Sequence, residues 1–267
     1  MFTRVHHVGL VVRRLEDGLA LWRDTFGLVV SAQATVADQG VKAALLPIGR
    51  SEIELLEPID PNGGVAKFLE KRGEGLHHVC LETPDVAADL AAARAAGLPL
   101  IDQAPRRGLA GMIGFLHPKG TCGVLTEFAT PPHDAHRHEG PCGAGALADL
   151  ALREVTARTA KPDEAAQLFR DKLGLGADTV TPDPGTRAAA VTVGGVRLHF
   201  VAPPAADATA DTAERAADGL AGLVLELPSP IVAERALAAR GAERAGLGLV
   251  LDPRRCHGVP IALVAPA

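Results

Sequence analysis

Cysteine is scarce. The four residues Cys80, Cys122, Cys142 and Cys256 form no CxxC pair, which excludes a thiolate zinc framework and a disulfide-stapled secreted scaffold. Reduced thiols and a cytoplasmic setting are expected. Aromatic residues make up 3% of the chain, with no Tyr and one Trp, too few for a surface that stacks nucleobases. There is no excess of positive charge: 27 Lys and Arg face 32 Asp and Glu, a net charge of −5. No global basic field exists to recruit nucleic acid, and an anionic ligand must be held by local cations. Long apolar runs are also missing. No segment approaches the roughly 20 residues that span a bilayer, and MFTRVHHVGLVV has no signal-peptide cleavage pattern, so no membrane association is expected.

What is present is a soluble composition, 47% hydrophobic and 22% charged over 267 residues, a length suited to two domains. Internal repeats organise it. HHVGLVVRRLEDGLALW, from His6, lies over HHVCLETPDVAADLAAA, from His77, at an offset of 71. Each segment opens with strand-like alternation and turns to helical spacing, through Leu15, Leu19 and Trp22 or Val86, Leu90 and Ala93. Gly27-Leu28 and Gly97-Leu98 are positioned to end the two helices. EIELLEPID, from Glu52, lies over LTEFATPPH, from Leu125, at an offset of 73. Two further short strands fit between helix and last strand, in the first unit about 29–35 and 41–47. Each unit thus reads as β-α-β-β-β.

The second half repeats the pattern more loosely. LFRDKLGL at Leu168 echoes LWRDTFGL at Leu21, VRLHFVAPP at Val196 echoes EIELLEPID, and GLVLELPSP at Gly222 echoes HVCLETPDV. LDPRRCHGV at Leu251 echoes LHPKGTCGV at Leu116. The expected fold is α+β: four βαβββ units in two domains, 1–131 and 147–267, each an open curved mixed sheet with flanking helices. The Pro-, Gly- and His-rich stretch 132–146 is the linker. Its histidines, His133, His136 and His138, read as a flexible tract rather than a metal site. A polar insertion over about 203–218 leaves Ala205–Ala217 as a surface helix or a disordered segment.

Two His and two Glu recur at equivalent places in the first two units: His7 with His78, and Glu54 with Glu127. Pairing of duplicated strands about a pseudo-twofold axis brings such positions together. Two buried carboxylates among Val8, Leu10, Ile53, Leu55, Val79 and Leu125 would repel each other, and a divalent cation relieves that. Nitrogen and carboxylate oxygen without sulfur favour Mn, Co, Ni, Mg, Fe or Zn, with two coordination positions left open. Alternation turns His6 and His77 to the opposite face.

The paired βαβββ units with this ligand pattern resemble the vicinal oxygen chelate superfamily of glyoxalases, extradiol dioxygenases and fosfomycin-resistance proteins. Residues 1 to about 130 are similar to methylmalonyl-CoA epimerases. The similarity runs through HHVGLVVRRLEDGLALWRDTFGL, DQGVKAALLPIG, SEIELLEPIDPNGGVAKFLEKRGEGLHHVC and FLHPKGTCGVLTE. It implies the metal ligands His7, Glu54, His78 and Glu127. It also implies interconversion of (2R)- and (2S)-methylmalonyl-CoA, or of a close 2-alkylmalonyl thioester, through a metal-stabilised enolate. Some members carry Glu where this chain has Ala43, so one of two acid/base roles is unassigned. Glu127 is one candidate, and Glu52, on the face of Glu54 by period-two spacing, is another. Lys119, Arg106 and Arg107 are candidates for the phosphates of coenzyme A. An acyl-CoA substrate is the expected partner, and a homodimer is compatible with the resemblance. Alternatives in the same superfamily are a glyoxalase-type isomerase, an Fe(II) extradiol dioxygenase or a non-catalytic binding protein.

In the second half the equivalent ligand positions read Glu154, His199, Gly222 and Ala262. Two of the four cannot ligate, so this domain is read as degenerate, a cap or a stand-in for the second subunit of a dimer. Glu154 and His199 are left with a salt bridge or a weak site.

Overall fold

The computed structural model describes residues 1–132, 142–175, 188–203 and 218–266. The first repeat contains β1 (Arg4–Val11), α1 (Leu15–Trp22), β2 (Ala32–Val36), β3 (Val41–Ile48) and β4 (Ser51–Pro58), followed by α2 (Gly64–Arg72). The second contains β5 (Gly75–Glu82), α3 (Val86–Ala95), β6 (Arg106–Gly108), β7 (Gly111–Leu116) and β8 (Thr126–Thr130). The third runs through β9 (Ala151–Arg158), α4 (Pro162–Asp171), β10 (Ala188–Val193) and β11 (Val196–Val201). The fourth has β12 (Gly219–Glu226), a short α5 (Glu234–Leu237), β13 (Glu243–Ala245), β14 (Gly248–Leu251) and β15 (Ile261–Val264).

The strands form two curved mixed sheets, ordered β2-β3-β4-β1-β5-β8-β7-β6 and β10-β11-β9-β12-β15-β14-β13. The orders correspond strand for strand except at β2. Its counterpart in the third repeat would fall in 176–187, outside the described residues. The linker histidines His133, His136 and His138 and the Ala205–Ala217 stretch lie outside them too. Within each repeat the first and last strands pair in parallel, as β1 with β4, β5 with β8, β9 with β11 and β12 with β15. β1 is buried along nearly its whole length, as a central parallel strand covered on both faces must be.

Each helix packs on one face of its own strands. α1 lies on β3 and β4, and α3 on β7 and β8. Gly114 permits the second of these approaches, since a Cβ there would stand 2.7 Å from Leu90 Cδ1. Gly27 and Gly97 do end the helical segments, both at φ +76°, where a side chain is disfavoured. Leu28 N–H then donates to Trp22 O at 3.0 Å and Leu98 N–H to Ala93 O at 2.9 Å. α2 is absent from the βαβββ expectation. Its Val65, Phe68 and Leu69 fall at helical spacing but are only half-buried. No described helix is long and apolar enough to cross a membrane, and none of the four cysteines forms a disulfide.

By Cα proximity the chain falls into two compact units, each assembled from segments distant in sequence. The first comprises Met1–His6, His78–Asp134 and Glu154–Ala221; the second comprises His7–His77, Ala135–Arg153 and Gly222–Ala267. In the first unit, Arg4 Nε donates to Glu82 Oε2 at 2.6 Å and Phe2 packs on Phe128 with ring centroids 4.7 Å apart. In the second, the Trp22 and Phe26 rings stack at 5.0 Å, both fully buried. Arg240 Nη2 donates to Ala20 O at 3.1 Å and Thr25 Oγ1 at 2.9 Å, placing a cation against the C-terminal carbonyls of α1. His257 contacts Glu74 Oε2 through Nδ1 at 3.2 Å and Asp17 O through Nε2 at 3.0 Å.

α1 starts without a side-chain cap from Arg14. Glu57 on β4 supplies it instead, accepting from Leu15 N–H at 2.6 Å and from Lys42 Nζ at 2.9 Å. Burial pushes this carboxyl up, but the hydrogen bonds from Leu15 and Lys42 prevail and hold it below the usual glutamate range.

Two outcomes follow. Phe26→Ala removes one partner of the buried stack and is expected to lower unfolding free energy by about 3–5 kcal/mol, read by urea denaturation with far-UV circular dichroism. A loss under 1 kcal/mol (roughly one methylene's worth) would contradict this packing. Because the folded-state pKa of Glu57 is depressed, its contribution is complete above the unfolded value and is lost as pH falls through the folded one. The stability gap between wild type and Glu57→Gln is therefore widest at neutral pH and closes in acid; a gap independent of pH would refute the capping role.

Candidate active site

The parallel pairing within each repeat fixes where its polar residues go. On β1 and β4, Gly9 faces Glu54, so Glu54 lies opposite the position two residues beyond His7. On β5 and β8, Cys80 faces Glu127, two residues beyond His78. Residues two apart on a strand share a face, so each repeat presents one His and one Glu side by side, away from its helix. His7 Nε2 stands 3.5 Å from Glu54 Oε2, with side chains 1% and 9% exposed. His78 Nε2 stands 3.2 Å from Glu127 Oε2, with side chains 2% and 4% exposed. The two repeats use the same atoms in the same register.

Ionisable groups this deeply buried are costly unless paired or bound to a metal. Each pair offers an imidazole nitrogen and a carboxylate oxygen, a donor set suited to a hard or borderline divalent ion. His6 and His77 are on the other face, as alternation requires. His77 packs edge-on against Phe68 of α2, with ring centroids 4.8 Å apart. Glu52 faces His7 directly in the β1–β4 register and so shares the face of His7 and Glu54. It is half-buried and accepts from Ser31 Oγ at 3.3 Å. Ala43 is buried on β3 opposite Leu56, two positions from the Leu45 that faces Glu54. The same face is therefore apolar at Ala43.

The three candidate cations separate. Arg106 faces Ile113 on β7, and the neighbouring Phe115 faces Glu127 on β8, so Arg106 lies on the His78–Glu127 face. Its guanidinium sits over the Phe115 ring at 5.6 Å, and its Nε donates to Asp102 Oδ1 at 2.9 Å. The Phe115 ring meets His78 edge-on at 5.3 Å. Arg107 alternates to the other face and is exposed, as is Lys119 in its loop.

Sequence reasoning missed Phe115 and Asp102 as parts of this surface. The available signal was the alternation Ile113–Phe115 facing Ala129–Glu127, which puts both ring and carboxylate on one side once the β7–β8 register is known.

Comparison with known proteins agrees with the fold. The family model described as the glyoxalase/bleomycin resistance protein/dioxygenase superfamily matches residues 6–115. The uncharacterized protein YqjC of Bacillus subtilis (strain 168) is 36% identical over 138 residues, covering 51% of this chain and 99% of that protein. Ethylmalonyl-CoA/methylmalonyl-CoA epimerase of Cereibacter sphaeroides is 35% identical over 131 residues, covering 48% of this chain and 98% of the epimerase. Among solved structures, a Streptomyces coelicolor methylmalonyl-CoA epimerase variant in complex with 2-nitronate-propionyl-CoA is 38% identical, with a TM-score of 0.49, covering 51% of this chain and 99% of that one. The matches to these relatives take in about half the chain, and this chain belongs to the glyoxalase/bleomycin resistance protein/dioxygenase superfamily, its N-terminal half homologous to methylmalonyl-CoA epimerases.

Proposed function

We propose that this chain is a metal-dependent epimerase of methylmalonyl-CoA or a close 2-alkylmalonyl thioester, with His7, Glu54, His78 and Glu127 as ligands of one divalent cation. The observation that carries the reading is the duplicated register: a buried His and Glu at the same relative position, facing each other through the same atoms, in both repeats. The relatives named as methylmalonyl-CoA epimerases support it.

A divalent ion held by these four groups would polarise the thioester carbonyl of the substrate and so acidify the proton at C2. The remaining work falls to the chain. Epimerisation requires one group to remove the C2 proton and another to return one on the opposite face. Glu52, on the ligand face and half-open to solvent, is suited to carry a proton that exchanges with water. Glu127, deeply buried beside His78, is suited to hold the ion and to serve as the opposing base. Arg106, fixed by Asp102 and the Phe115 ring, is the cation best oriented for a substrate anion, whereas Arg107 and Lys119 are reserved for the more distant phosphates of coenzyme A. In this reading 1–131 is the catalytic domain and 147–267 a degenerate copy joined by 132–146.

Proton–deuterium exchange at C2 of methylmalonyl-CoA in heavy water tests it. The cobalt- or manganese-loaded protein should exchange the C2 proton and interconvert the stereoisomers, and chelation should stop both. Glu127→Gln should lower the exchange rate by about 100-fold or more. Absence of exchange by the metal-loaded wild type would end this assignment. Glu52→Gln should slow exchange while leaving the bound metal content unchanged, measured by inductively coupled plasma mass spectrometry; loss of metal would make Glu52 a ligand, not an acid/base.

A further inference from the structure

The third repeat keeps the paired position of the first two with the residue types exchanged. Glu154 stands on β9 where His7 stands on β1, and His199 stands on β11 where Glu54 stands on β4. His199 faces Thr156, two residues beyond Glu154, the register that relates Glu54 to His7. The two side chains meet at 2.9 Å through His199 Nδ1 and Glu154 Oε1.

The rest of that face is unlike the metal-ligand face. α4 covers the opposite side of β10 and β11 through contacts such as Phe169 on Phe200 at 5.1 Å. On the side opposite α4, alternation and register align Glu154, Thr156 and Arg158 of β9 with Arg197 and His199 of β11 and Thr192 of β10. All six are half-buried. The carboxylate is already engaged: Thr156 Oγ1 donates to Glu154 Oε1 at 3.2 Å, and Arg197 Nε stands 3.5 Å from Oε2. Burial pushes the Glu154 carboxyl up, but the His199 hydrogen bond and the charges of His199 and Arg197 prevail and hold it low. It stays an anion committed to its neighbours.

The donors are not used up. Arg158 Nε and His199 Nε2 are buried atoms that make no hydrogen bond among the described residues, and Arg197 Nε has only its 3.5 Å ion pair with Glu154. Buried polar atoms are nearly always satisfied, and this cluster on one sheet face calls for an acceptor. Two guanidiniums and an imidazole against a single carboxylate leave the face short of negative charge. A metal cation is the wrong occupant. The guanidiniums repel it, and the fourth repeat has Gly222 and Ala262 where the second has His78 and Glu127.

We propose that this face of the third repeat binds a small oxyanion, a carboxylate or phosphate group, directly through Arg158, Arg197 and His199 without a metal. Guanidinium forks match the paired oxygens of either group. The Arg197 side chain is 43% exposed, so the anion enters from solvent to reach buried nitrogens. The site is independent of the epimerase assignment and stands if that assignment fails.

The test uses the full-length protein freed of metal by chelation and dialysis, titrated separately with malonate and with inorganic phosphate. Heat of binding is followed by calorimetry and the His199 ring by NMR, its signals assigned with His199→Gln. Binding of either probe with a shift of the His199 Nε2 resonance is expected. Malonate alone identifies a carboxylate site, and phosphate alone a phosphate site. Arg158→Gln and Arg197→Gln are each expected to weaken binding by about tenfold or more, the loss of one charge-assisted hydrogen bond. No heat and no His199 shift with either anion overturns the proposal, as does undiminished affinity in both arginine variants. If a variant fails to fold, the wild-type His199 shift decides alone.

Discussion

Parallel pairing of the first and last strands of each repeat is the constraint on which everything else rests. In that register a residue and the partner of the position two beyond it share a face, with the helix occupying the other. A polar pair placed there is shielded from its own helix and held among apolar neighbours. Two residues make each pair, and the duplicated unit repeats both in the same register.

The contrast between repeats shows how little geometry has to change for the chemistry to diverge. In the first and second, a His on the leading strand and a Glu on the trailing strand leave the pair rich in ligand atoms, with no Lys or Arg on the same face of those strands. In the third, the types are exchanged and two arginines join the face. The Glu154 carboxylate is then consumed by its neighbours, and the unsatisfied groups become donors. The backbone register is shared, yet one surface is suited to a cation and the other to an anion.

The strand–helix–strand order, the helix stops at Gly27 and Gly97 and the matching positions of His7 with His78 and Glu54 with Glu127, which pair within each repeat, were legible in sequence. Each is set by local periodicity or by direct repetition. What was not legible depends on pairing between strands that periodicity alone does not register. Arg106 could be named as a cation, but its alignment with Phe115, and thereby with His78, needs the β6–β7–β8 register. Glu154 and His199 aligned with ligand positions, but the exchange of types hid that they still form a pair. α2 escaped notice although Val65, Phe68 and Leu69 have helical spacing, because the segment is short and only half-buried. The interleaving of the compact units was invisible for a related reason: contacts between repeats far apart in the chain leave no mark on local pattern.

One consequence lies in the fastening of α1. Its terminal carbonyl at Ala20 is met by Arg240, a residue of the last repeat, and Asp17 O in the same helix receives His257. A free-standing single copy would lose both donors, leaving Ala20 O with the hydroxyl of Thr25 at 2.9 Å. Here the later copy has become scaffolding for the earlier one, so the duplication is no longer a spare. Substitution in the C-terminal half is therefore least neutral at Arg240 and His257, the side chains on which α1 leans.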